Sequence, residues 1–152
     1  MNISREHIRK ALKKKLPGPE SHSKMIPPNR DLHTPEKEKS KLKKSSVLLL
    51  LFEENGELKI CLIKRPAHMK HHASQVAFPG GRIEKGETAL QTAFRETEEE
   101  IGVTSDKIEI LGSLSELYVG VSGFLIHPYV GWLHSEPTFI TCDDEVEKTI
   151  LF

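Results

Sequence analysis

No long apolar run occurs in this sequence. The longest, residues 47–52, has the length of a strand, whereas a helix crossing a bilayer needs about 20 apolar residues. A membrane-spanning helix is therefore not expected. Cysteine is scarce, with only Cys61 and Cys142. That excludes a scaffold built on disulfides, and their contexts offer no metal-ligand spacing. Two free thiols suit a reducing compartment, and a cytoplasmic setting is expected. The first residues are polar and basic and lack the apolar centre of a signal peptide, which gives the same expectation. Neither sign of charge is in excess over the whole chain, with 22 basic and 22 acidic residues. Aromatics make up 6%. None stands among the N-terminal lysines, where a single-strand nucleic-acid platform would need them. Nucleic acid is disfavoured as a partner.

The balance of charge hides an asymmetry. Residues 1–46 carry thirteen Lys and Arg against five Asp and Glu, a net of +8, and the remainder carries −8. Division into a basic N-terminal helix and connector, residues 1–45, and a folded domain, residues 46–152, is expected. The helix should run over 4–16, with Ile3, His7, Ile8, Ala11, Leu12 and Leu16 as a narrow apolar stripe, until Pro17-Gly18-Pro19 ends it. A Pro-, Ser- and Lys-rich connector follows with little to bury. The bland reading, a docked helix and a solvated linker, is preferred over an arm that seeks an anionic partner.

What the sequence does hold is concentrated in residues 81–103, GRIEKGETALQTAFRETEEEIGV. Thr88 and Gln91 have the spacing of a capping box. Ala89, Leu90, Ala93, Phe94, Thr97 and Ile101 recur at helical spacing, and Gly102 follows as a stop. Glu96, Glu99 and Glu100 stand at i, i+3 and i+4, on one face. Like charges this close destabilise a bare helix. A hard divalent cation, Mg²⁺ or Mn²⁺, would offset them and takes carboxylate oxygens readily. Glu87 and Arg95 can pair to brace the incoming loop and orient Glu96.

Gly81, Glu87 and the run Arg95-Glu96-Thr97-Glu98-Glu99-Glu100-Ile101-Gly102-Val103 together resemble the Nudix box, G x5 E x7 R E U x E E x G U. Every fixed position matches. Thr97 departs, since an aliphatic is usual there. The preceding residues, 62–81, resemble the lead-in of the coenzyme A pyrophosphatase branch. Leu62, Arg65, Phe78, Pro79, Gly80 and Gly81 match it. Lys70 stands for an arginine, and Ser74 stands where that branch has glycine. Lysine keeps the charge but loses the two-pronged donor, and serine restricts a left-handed turn.

The rest of the chain reads as an α/β (α+β) domain. Strands are expected at 46–52 and 57–63, joined at Asn55-Gly56, a strong hairpin signal. Further strands are expected at 107–114, 124–133 and 138–141, with Pro128 marking an edge or a bulge. His68, His71 and His72 lack a thiolate or carboxylate to complete a metal set and read as a surface loop. Lys64, Arg65 and Lys70 read as cations facing phosphate. Asp143-Asp144-Glu145-Val146 should open a final helix, barely present before the chain stops at Phe152, where the resembled branch continues. The resemblance implies the Nudix fold, a mixed β-sheet sandwiched between α-helices.

The resemblance also implies an enzyme. Glu96, Glu99, Glu100 and the Gly81 carbonyl would hold the ion. Glu99, Glu96 and Glu145 would be catalytic, Glu145 or a box glutamate acting as base, with Arg95 and Glu87 holding the constellation. Arg65, Lys70, Gly80 and Gly81 would bind the substrate. The reaction implied is hydrolysis of a pyrophosphate bond in a nucleoside diphosphate linked to another moiety. Coenzyme A or acyl-CoA is the first choice, giving phosphopantetheine and adenosine 3',5'-bisphosphate. ADP-ribose, a dinucleotide or a nucleoside triphosphate stays open, as does a Nudix module that binds without turnover. The partner expected is a small pyrophosphate, with no membrane; a homodimer stays open.

Overall fold

The computed structural model describes residues 3–26, 41–69 and 73–152. In chain order the elements are α1 (Arg5–Leu12), α2 (Pro19–Ser23), β1 (Lys43–Glu54), β2 (Glu57–Lys64), β3 (Val76–Ala77) and β4 (Gly80–Arg82). Then come α3 (Ala89–Ile101), β5 (Ile108–Ser113), β6 (Leu117–Val119), β7 (Phe124–Leu133) and β8 (Lys148–Leu151). Eight strands among the described residues form one sheet. β1 lies between β2, its antiparallel hairpin partner, and β7, its parallel one. β5 and β6 pair with β7, β3 and β8 with β2, and β4 with β1, all antiparallel.

β1 is an almost unbroken apolar run because both its faces are covered. Its alternation divides two cores. Leu48, Leu50 and Phe52 pack with Cys61, Ile63 and with Ala93 and Ile101 of α3. Leu49 and Leu51 point the other way, toward Leu111, Val130, Trp132 and Ile8 and Leu12 of α1. A helix therefore covers each face, and the fold is a mixed sheet between helices. Burial also pushes the Cys61 thiol up to about 12, which leaves it a small apolar group rather than a reactive one.

The β1–β2 turn has Asn55 at φ 52° and Gly56 at φ 77°, the left-handed pair that a two-residue hairpin needs. Pro128 sits in an inner strand rather than at an edge. It falls where the partner of β7 changes from β5, at Ser113↔Tyr129, to β6, at Leu117↔Ile126. Leu114 N–H donates to its carbonyl at 2.9 Å.

Several expectations need correction. α1 ends at Leu12, not residue 16, because the last apolar contact with the sheet is made there, Leu12 against Gly112. The next three residues are lysines. Pro17-Gly18-Pro19 does not only end a helix; Pro19 opens α2 at its first position, where a missing N–H costs nothing. β1 begins at Lys43, earlier than residue 46, since its first residues pair with β7 and β4. The expected strand at 138–141 is not a strand. Its N–H groups go instead to the open end of α3, Ile140 N to Ile101 O at 3.0 Å and Cys142 N to Glu100 O at 3.2 Å, carbonyls the helix cannot satisfy itself. The final helix is absent among the described residues. A turn at Cys142 leads into β8, whose alternate register with β2 decides its form. β3, β4 and β6 were too short to leave a periodic signal.

Ser74 adopts the left-handed conformation all the same, with φ 58°. A side chain there costs about 1–2 kcal/mol. Ser74→Gly should stabilise the protein by about 0.5–1 kcal/mol in urea unfolding, the remainder being offset by glycine's freedom in the unfolded chain.

Candidate active site

α3 is closed at both ends. The Thr88 hydroxyl accepts Gln91 N–H at 3.2 Å, and the Gln91 side chain accepts Thr88 N–H at 2.8 Å. At the other end Gly102, at φ 72°, donates to Glu98 O. Thr97, where an aliphatic was usual, is fully buried and donates to Ala93 O at 2.7 Å. Its hydroxyl is thereby satisfied inside the helix.

Two glycines of β4 allow close packing, Gly81 against this helix and Gly80 against β1. A Cβ on Gly81 would lie 2.3 Å from the Glu96 carboxylate, and one on Gly80 would lie 2.2 Å from Ser46 O. Gly80 N–H donates to Glu100 Oε2 at 2.9 Å. Glu100 is fully buried, and Arg65 Nη2 reaches its Oε1 at 3.1 Å. The turn after Cys142 delivers Glu145 to the same place. That turn is anchored by buried Val146, by Glu147 N–H on Lys64 O at 2.8 Å and by a Lys64–Glu147 ion pair at 2.8 Å. One oxygen each of Glu96, Glu100 and Glu145 lies within 4.8 Å of the others.

Burial drives the Glu100 carboxyl up to about 8; Gly80 N–H and Arg65 oppose this, and Glu96 and Glu145 add to it. Glu96 is raised too, chiefly by burial, while Arg95 pulls the other way. Three acids crowded together, Glu96 and Glu100 disfavoured as anions by burial, make a donor set that suits a hard dication.

Arg95 is the brace. Its Nε and Nη2 grip the two Glu87 oxygens at 2.8 and 3.2 Å, and its Nη1 donates to Glu96 and Glu99, each at 2.9 Å.

Residues 42–149 match the NUDIX domain. The chain belongs to the NUDIX family. Nudix hydrolase 3 of Caenorhabditis elegans is 39% identical over 105 residues, 67% of this chain and 44% of that protein. A peroxisomal coenzyme A diphosphatase of the same organism is 39% identical over 108 residues, 68% of this chain and 46% of that protein. The chain thus spans less than half the length of these relatives. Among solved structures, an Ap4A hydrolase of C. elegans in a binary complex superposes with a TM-score of 0.60 at 19% identity, over 72% of this chain and 79% of that one. At that identity the likeness is one of fold.

In this NUDIX domain the tertiary structure sorts the residues expected to act together. Glu96, Glu100 and Glu145 converge, with Gly80, Gly81 and Arg65 beside them. Glu99 does not join them; its side chain is 54% exposed and turned to Arg95. Lys70, His71 and His72 lie outside the described residues. His68 is exposed. Sequence reasoning missed Thr92, whose hydroxyl donates to Glu87 Oε2 at 2.7 Å. A threonine on the first turn of the helix, five residues after Glu87, was the only signal for it. Among the described residues no helix is long and apolar enough to cross a membrane.

The brace has a pH signature. Bonds from Arg95, then Thr92 and the Glu84 N–H, pull the Glu87 carboxyl from 4.5 down to about 2. A lowered carboxyl contributes stability above its unfolded value, and that stability is lost as pH falls through the folded one. Glu87→Gln should therefore be less stable than the parent at pH 7, and the gap in urea midpoints should close between about pH 4.5 and 2.

Proposed function

We propose that this NUDIX domain hydrolyses the pyrophosphate bond of a nucleoside diphosphate linked to another moiety, coenzyme A or acyl-CoA first among them. One observation carries the reading: Glu96, Glu100 and Glu145 converge beside the Gly80-Gly81 bend. The identity to a coenzyme A diphosphatase favours that substrate.

Glu96, Glu100 and Glu145 would hold Mg²⁺ or Mn²⁺, and the resemblance adds the Gly81 carbonyl. When bound, such an ion draws electron density from phosphoryl oxygens and acidifies water. Arg95 and Glu87 keep Glu96 in place. Glu99, the acid left open to water at the rim, takes the proton of the attacking water. Water oxygen adds to one phosphorus and the bridging P–O bond breaks. The departing phosphate leaves with the electron pair, giving phosphopantetheine and adenosine 3',5'-bisphosphate from coenzyme A.

The test is a panel of coenzyme A, acetyl-CoA, ADP-ribose, a diadenosine polyphosphate and a nucleoside triphosphate. Each is incubated with Mg²⁺ or Mn²⁺ and the products separated by ion-exchange chromatography. Fastest cleavage of the coenzyme A pair supports the proposal. Faster cleavage of another member moves the substrate, and binding without cleavage of any leaves a ligand-binding module. Glu99→Gln should lower kcat by about 10²–10⁴ with ion affinity nearly unchanged.

A further inference from the structure

We propose that Arg65 is an ion-gated clamp, the counter-cation of Glu100 until a dication arrives and a phosphate ligand afterwards. The inference rests on the reading that Glu96, Glu100 and Glu145 take a divalent cation. Two guanidiniums divide these acids between them. Arg95 serves Glu96 and Arg65 serves Glu100, while no ion pair among the described residues reaches Glu145.

The two arginines are tethered very differently. Arg95 is held by the two-pronged Glu87 pair and by Arg82 O at 3.3 Å, so it stays. Arg65 is fixed at its backbone, where its N–H donates to Gln75 O at 2.9 Å. Its tip has weaker partners besides Glu100: Gly80 O at 3.5 Å and the Met69 sulfur at 3.8 Å. Glu100 Oε2 is already engaged by Gly80 N–H, and Oε1 is the oxygen that Arg65 occupies.

A dication that takes a Glu100 oxygen sets two positive charges beside this guanidinium. Glu100 is buried and Arg65 half-buried, so water screens them poorly. The Arg65 guanidinium is the more loosely held of the two, and it moves. Phosphates brought to the ion then offer anionic oxygens within the sweep of the same side chain, and an arginine fork matches them. Ion and diphosphate should therefore bind with positive coupling through Arg65.

The experiment follows the Arg65 side-chain Nε–H by NMR in the full chain, assigned through its loss in Arg65→Lys. Saturating Mg²⁺ alone should shift this signal and speed its exchange with water by about tenfold or more. Adding methylenediphosphonate, a diphosphate that cannot be hydrolysed, should slow it again. An Arg65 signal unmoved while the Glu96 and Glu100 amides shift with Mg²⁺ overturns the clamp and leaves the proposed hydrolysis standing. Release by Mg²⁺ without recapture by the diphosphonate overturns it too. If no acid-cluster amide responds to Mg²⁺ or Mn²⁺, the ion site fails, and the proposed hydrolysis with it.

Discussion

Glu100→Gln is expected to fold and to lose about two to four orders of magnitude in kcat/KM, roughly 3–5 kcal/mol of transition-state stabilisation. The substitution keeps shape and removes charge. Glu100 is fully buried, and its carboxyl is held up at about 8, chiefly by burial. The carboxamide fills the same buried space. The amide oxygen can still accept the Gly80 N–H that Oε2 accepts now. What disappears is the anion offered to a dication, and with it the pull on that ion. Glu96→Gln and Glu145→Gln should weaken ion binding as well, because each supplies one oxygen of the same group. Titration calorimetry with Mn²⁺, beside a thermal melt of each variant, separates lost ion binding from lost folding. Full activity of Glu100→Gln would sink the proposed site.

Gly80→Ala should be the most damaging small change to the fold, costing about 3 kcal/mol or more. The added Cβ would lie 2.2 Å from Ser46 O and 2.7 Å from Val47 Cα. Both atoms belong to the backbone of β1, which is paired there with β4 on one side and β7 on the other. Nothing there can yield without breaking the sheet. Gly81→Ala is a useful contrast, since the nearest atoms to its Cβ are all at the tip of the Glu96 side chain, from 2.3 Å. That carboxylate can swing away. Gly81→Ala should therefore stay folded with a small change in melting temperature, yet lose ion affinity because Glu96 is displaced. Equal melting losses in the two variants would contradict the distinction.

The α3 stretch was legible because each of its signals is local. The Thr88–Gln91 cap, the stop at Gly102 and the Glu87–Arg95 bond all lie within a few turns of chain, and all three are present. The Asn55-Gly56 hairpin was legible for the same reason. Elements whose form depends on a distant partner were not. Residues 138–142 have strand-like composition, but the open carbonyls of α3 claim their N–H groups. β8 reads as the start of a helix until β2 supplies a register.

The sequence by itself determined the family, the acidic helix and the glycine bend, since spacing along one helix fixes which side chains share a face. Only the tertiary structure decided which acids meet. Glu96 and Glu100 turn inward onto Gly80 and Gly81, Glu99 turns out to Arg95, and Glu145 arrives from a loop tied down by β8. Periodicity places three glutamates on one side of a helix, but burial against a particular strand divides that side into an inner and an outer edge. That division depends on contacts across the fold, which no local pattern records.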